Sequence, residues 1–437
     1  MSSEAAGYGE FKKGWPVVLS AMLGIGLGLS PLPFYTIGIL AKPIAKTFGW
    51  GFGQIFFGVT ITSIVVPFAS PVIGLLSERF GVRRVALTSL VLFSLAFMAF
   101  SLSSGSLVLF YVNWAVVALF GAGTLPITWT RAVNNRFETH KGLALGLSLM
   151  GTGLFGYFGV WFTAWLSAHY GWRAAYLGVG ALPLLIALPV AFFAFHDVGP
   201  ARQTAAERQA SAAARTAATP GMTAREALAD WRFWLIGCAF LPIAFAVGAT
   251  IPNLVNILKL NNFSAETAVG LASLIGLSVI VGRAAGGWLV DRFWAPGVAV
   301  VMLGLPAAAC WVLGHGPFSY GVTAAAVFLV GFAAGAEYDL MAFLTARYFG
   351  MKSYALIYGA LYSFFAVGSG VGPPVFGFAF DTTHAYTTPL TLAACAMFIG
   401  ALALLALGRY RTFDHPRPVD SKESSHGTSL DMEAVED

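Results

Sequence analysis

Three charged residues stand inside long apolar stretches of the chain: Arg283, Glu337 and Asp339. At the centre of a membrane helix each costs about 2.5–3.5 kcal/mol, so each must pair or face water. A guanidinium keeps its charge and offers a planar fork matching a carboxylate, which makes Arg283 a candidate anchor for an organic anion. A carboxyl group in a dry cavity can load and release a proton near neutral pH, so Glu337 and Asp339 are candidate proton carriers. The competing reading is that Arg283 only neutralises Glu337 or Asp339 as a structural pair. Residues at i and i+2 point about 200° apart on a helix, so one of these two acids faces a given cavity. The other is then placed to tie to Arg347 or to the Asp291–Arg292 pair. Arg283 and Asp339 each precede a charged helix end, Asp291 and Arg347, by eight residues, roughly 12 Å of helix. The three charges therefore share a depth.

These charges are costly because of what surrounds them. Of 437 residues 57% are hydrophobic and 10% charged, where a soluble domain carries about 25% charged. Mean hydropathy is +0.75, which excludes a disordered chain and points to a membrane. Twelve apolar segments are expected at 15–40, 52–76, 85–103, 107–131, 142–167, 174–195, 233–258, 266–290, 297–314, 319–346, 353–379 and 387–408. We call them spans 1 to 12. Backbone groups in lipid must be satisfied within the segment, so runs this long have to be helices. The expected fold is all-α and polytopic, with twelve transmembrane helices in two six-helix halves.

Domain boundaries follow: an N-terminus (1–14), a first half (15–195), a central loop (196–232), a second half (233–408) and an acidic tail (409–437) whose composition predicts disorder. Within the loop, Thr223 to Glu226 has capping-box spacing and predicts a short helix before Trp231. Of the 25 Lys and Arg residues, Lys42, Lys46, Arg173 and Lys259 fall on one side of the spans and Arg283 lies within one. All the others fall on the opposite side. The positive-inside rule therefore puts both termini in the cytoplasm. The N-terminus carries no cleavage-site pattern, so no removable signal peptide is expected.

Basic charge is thus a matter of topology, and no nucleic-acid partner is expected. Cys238, Cys310 and Cys395 sit in separate apolar runs, offering neither a disulfide framework nor metal-ligand spacing. No cofactor or metal is expected, no Ser-His-Asp set or phosphate loop supports an enzyme, and no histidine lies near a span centre. Two glycine sets, one from Gly142 to Gly156 and one from Gly368 to Gly372, lack the strand and lysine–serine pair of a phosphate cradle and read as close helix approach.

An internal repeat organises the halves. Gly74, Glu78, Arg79 and Phe80 after span 2 recur as Gly287, Asp291, Arg292 and Phe293 after span 8, at one offset of 213 residues. Related halves with a site between them at the midplane are how many secondary transporters are built. The first of these loops, Gly74, Glu78, Arg79, Gly81, Arg83 and Arg84, resembles the G-x-x-x-(D/E)-R-x-G-x-R-R signature of the major facilitator superfamily. Arg136-Phe137 through Lys141-Gly142 to Ala144 and Gly146, with Phe48-Gly49-Trp50, is similar to its oxalate/formate-antiporter and monocarboxylate-transporter branch.

That resemblance implies small organic anions carried with protons or exchanged for other anions. It implies a substrate role for the span-8 arginine, here Arg283. The aspartate that this branch places four residues earlier is Val279 here, so a proton site in span 10 is an inference. The lysine that the branch carries in span 1 is replaced by Tyr35, which follows Pro31 and Pro33 in a span expected to bend. Tyr338, Tyr358 and Tyr362 are further candidate substrate contacts, each with interfacial packing as the alternative. The expected gating set is Gly74, Glu78, Arg79, Gly81, Arg84, Arg131, Gly287, Asp291, Arg292 and Arg347. The function expected is secondary transport of a monocarboxylate, aromatic acids included, by a monomer in a bacterial inner membrane. Proton-coupled efflux of amphipathic compounds is the alternative, and one embedded arginine suits a monoanion better than a dianion.

Overall fold

A computed structural model describes residues 3–137, 140–195, 220–411 and 413. The stretch 196–219 of the central loop and residues 414–437 of the acidic tail lie outside the described residues. Everything described is helix or connection, apart from one isolated bridge between Gly221 and Gly350.

Span 1 is broken into Ser3–Gly26 and Leu32–Phe48. Pro31 and Pro33 cannot donate backbone hydrogen bonds, so the helix restarts there instead of running through. Span 4 is broken too, into Leu107–Gly121 and Pro126–Arg136. The two breaks meet: the Thr124 hydroxyl accepts from the Leu29 N–H at 2.9 Å and donates to the Gly121 carbonyl at 2.7 Å. Irregular backbone is thereby satisfied inside the protein, as a membrane interior demands.

Among the described residues ten stretches are long and apolar enough to cross a bilayer. One of them, Gly142–Ala194, has 53 residues, more than twice what about 30 Å of hydrocarbon needs. It turns back at Gly171, whose φ of +83° is open to glycine, and so makes spans 5 and 6. Together with the broken first span, this is consistent with twelve crossings. Spans 2 and 3 are Phe52–Phe80 and Val82–Met98, joined at Gly81 with φ +88°. Spans 7 to 12 are Trp231–Leu260, Ala265–Arg292, Ala295–His315, Tyr320–Phe349, Tyr354–Thr383 and Thr387–Ala403.

Each half has its own apolar core, one from Val17 to Phe195 and one almost wholly from Ala227 to Leu407. Large apolar side chains such as Phe68, Leu102, Phe193 and Leu356 are exposed on the outside, where lipid would cover them. The expected capping box forms: Glu226 N–H donates to the Thr223 hydroxyl at 3.3 Å, and Thr223 N–H to the Glu226 carboxylate at 2.8 Å. It starts the helix Ala224–Ala229. Met222 N–H then bonds the Phe349 carbonyl at 2.8 Å, fixing this segment against the end of span 10.

Candidate functional site

The halves enclose a cavity of about 190 Å³ lined from both sides. The break in span 1 supplies Ser30, Pro31, Phe34 and Tyr35, and span 2 supplies Thr62 and Ser63. Span 8 brings Arg283, span 10 Glu337 and Tyr338, and span 11 Tyr362, Phe365 and Ser369. Arg283, Glu337, Tyr35, Tyr338 and Tyr362, five of the residues singled out by sequence, therefore share one site. Val279, one turn before Arg283, also lines it and leaves that wall apolar.

Glu337 is 4% exposed. Its Oε2 and the Nε of Arg283 are both buried without a hydrogen-bond partner. Buried polar atoms are nearly always satisfied, and leaving one unmade costs about 1–3 kcal/mol, more for a charged group. Trp114, which lines the same cavity, also has an unpartnered buried Nε1, but Arg283 and Glu337 are the two of opposite charge, so the cavity offers a polar ligand both a cation and an acid. Among the described residues no ion pair within 4 Å joins Arg283 to an acid, although Tyr35, Glu337, Asp339 and Tyr358 lie within its electrostatic reach. A closed structural pair is therefore not what the geometry presents.

Asp339 and Tyr358 are not among the cavity-lining residues. Asp339 also lacks a tie to Arg347, whose guanidinium lies over the Phe343 and Tyr410 rings at 5.2 and 5.3 Å. Arg292 lies over Trp288 at 4.3 Å. Tyr358 belongs to a row on span 11. Its ring is 5.7 Å from Tyr354 and 6.5 Å from Tyr362, and Tyr362 is 5.7 Å from Phe365. Spacings of four, four and three residues put these rings on one helix face.

The cavity is shut at the end that carries Lys42 and Lys259. There the Asp381 carboxylate at the end of span 11 accepts from the Phe52 N–H at 2.8 Å and the Gly53 N–H at 2.9 Å. A carboxylate thus caps the N-terminus of span 2, where orphan donors and the helix dipole favour it. Phe52 meets Phe380 edge-on at 5.2 Å beside it. Between spans 5 and 8 a Cβ at Gly276 would collide with the Tyr157 nitrogen and the Gly153 carbonyl, so only glycine permits this approach. Sequence reasoning missed Asp381, because an acid at a span end is common and its partners are backbone groups 329 and 328 residues away.

The hydrogen bonds that join the halves, from Phe52, Gly53, Thr60 and Trp161, lie toward the Lys42 end, and the arginine-rich end is the open one. A Cβ at Gly74, Gly142, Gly146, Gly287 or Gly359 would meet nothing within 4 Å. Arg79, Arg84, Arg131, Asp291, Arg292 and Arg347 are all exposed there. Arg79 lies over its neighbour Phe80 at 5.3 Å, and Arg84 edges an apolar groove between spans 2, 3 and 4. The Glu78 side chain lies outside the described residues. The expected gating residues thus lie at one end of the bundle, and among the described residues no ion pair within 4 Å joins one of them to another.

Comparison with known proteins agrees with this architecture. The family model described as Major Facilitator Superfamily matches residues 23–373. "Monocarboxylate transporter 13" of Bos taurus is 27% identical over 413 residues, covering 92% of this chain and 91% of the relative. "Uncharacterized 38 kDa protein in 23S RNA operon" of Thermoproteus tenax is 30% identical over 394 residues, covering 88% and 93%. Among solved structures, a bacterial homolog of the human lysosomal transporter Spinster, inward-facing and unoccupied, superposes with TM-score 0.62 at 17% identity, covering 90% of this chain and 94% of the other. The last of these speaks for the fold alone. With a family match over most of its length and an all-helical bundle in two halves around a central cavity, this chain belongs to the Major Facilitator Superfamily and is an integral membrane transporter, not an enzyme.

Proposed function

We propose that the protein is a secondary active transporter of small organic monoanions, working by alternating access with proton symport or anion exchange. The observation that carries this reading is the pairing, in one cavity between the halves, of Arg283 and Glu337 with unsatisfied buried atoms. Arg283 holds the substrate carboxylate, and Glu337 is the acid placed to carry the proton. Tyr35, Tyr338 and Tyr362 supply walls and hydroxyl donors, and one cation facing one acid fits a monoanion travelling with a proton. The nearly electroneutral cycle then lets an inward proton gradient drive uptake.

The arginine asymmetry supports placing the open mouth and both termini in the cytoplasm; the proposal further takes the membrane to be a bacterial inner membrane and the monomer to be the working unit. Efflux of amphipathic compounds calls for an acid in span 1 or 4, and neither span contributes one to the described lining. The test is uptake of radiolabelled monocarboxylates by proteoliposomes under an imposed pH gradient. Saturable uptake that rises with inward acid supports the reading, whereas no uptake or exchange of any anion by inserted protein overturns it.

A further inference from the structure

The aromatic row on span 11 is more than this reading needs. It begins at Tyr354, in the first turn of span 11 beside the open mouth, and passes Tyr358 and Tyr362 to Phe365 inside the cavity. The Tyr354 and Tyr358 rings are nearly parallel at 11°, as are Tyr362 and Phe365 at 17°. At the inner end Tyr338 from span 10 packs on Phe365 at 4.4 Å and faces Tyr362 at 6.1 Å. Tyr338, Tyr362 and Phe365 thus give one side of the cavity an aromatic wall, and Arg283 lines the same cavity. A two- or three-carbon acid would touch Arg283 and leave most of this surface uncovered.

We infer that the substrate is an aromatic monocarboxylate, its carboxylate at Arg283 and its ring against Tyr338, Tyr362 and Phe365, reached from the mouth along Tyr354 and Tyr358. This rests on the anion-transport reading above and sharpens it. Aromatic rings gain from offset or edge contact with other rings beyond their area burial. A ring sliding along such a row trades one contact for the next, so the path adds no deep well before the site. The hydroxyls of the tyrosines keep the mouth wetted, while Phe365 makes the inner end apolar.

The test compares acids that share a head group and differ only in the ring. Purified protein in proteoliposomes is assayed for counterflow of pyruvate and of phenylpyruvate, with acetate and phenylacetate as a second pair. Phenylpyruvate should half-saturate at a concentration at least about tenfold below pyruvate. Tyr362→Leu and Phe365→Leu should each shrink that preference by about tenfold, and Tyr362→Phe, which keeps the ring, should preserve it. If pyruvate and phenylpyruvate are handled alike, or the leucine variants leave the preference intact, the inference is overturned while anion transport stands. If neither acid of either pair is carried, both fall together.

Discussion

Asp381 offers the sharpest handle on which end of the cavity is open. Its carboxylate takes two backbone N–H groups from the first turn of span 2 and so ties the two halves together at the closed end. Hydrogen bonds to a charged group are worth about 1.5–3 kcal/mol each when dry. Asp381 is half-buried, so water recovers part of that on opening, and about 1–3 kcal/mol is a fair total for the pair. Asp381→Ala should therefore move the equilibrium by about 5- to 150-fold away from the state closed at this end. Asp381→Asn keeps an accepting oxygen and should fall between Ala and wild type. The assay places a reporter cysteine at the cavity residue Thr62, after the accessible Cys238 and Cys395 are replaced, and labels it with an impermeant maleimide from each face. Labelling from the Lys42 face should rise in the order wild type, Asn, Ala. Glu266→Gln removes an exposed acid from the first turn of span 8 at the same end and should leave the rates alone. Equal labelling in all four proteins would refute the latch.

The loops at the open mouth should act in the opposite sense. Glu78→Gln and Asp291→Asn, at equivalent positions of the repeat, should favour the state open at the arginine-rich end, with slower transport and retained binding; unchanged labelling from both faces would assign these loops to topology instead. Glu337→Gln should abolish pH-driven accumulation yet keep anion-for-anion exchange, and Asp339→Asn, outside the cavity lining, should keep both. Uphill uptake by Glu337→Gln would remove it as the carrier. Gly276→Val should block closure between spans 5 and 8, since its side chain would meet backbone; full transport by a variant expressed at wild-type level would contradict that.

What could be read from the chain itself follows the cost of each feature in lipid. Arg283 and Glu337 were visible because a charge in a span must be explained, and they do share a cavity. Pro31 and Pro33 announced a bend in span 1, and the structure turns it into a full break with Leu32–Phe48 as a separate helix. The break in span 4 was missed, because Gly121 to Pro126 looks like apolar continuity unless Thr124 is known to cap Leu29. The choice between Glu337 and Asp339 needed the rotation of span 10, which neighbouring helices set and local sequence does not. Arg292 and Arg347 lie over rings, an arrangement that charge pairing alone does not anticipate. Asp381 was the least legible, since its partners are main-chain groups with no side-chain signature.

The central claim is that Arg283 holds the carboxylate of the substrate. The direct measurement is equilibrium binding of an accepted monocarboxylate to detergent-purified wild type, Arg283→Gln and Arg283→Lys, each shown to be monodisperse. Glutamine should remove saturable binding, and lysine should bind poorly because an ammonium cannot reproduce the bidentate fork. Wild-type affinity in Arg283→Gln would contradict the account.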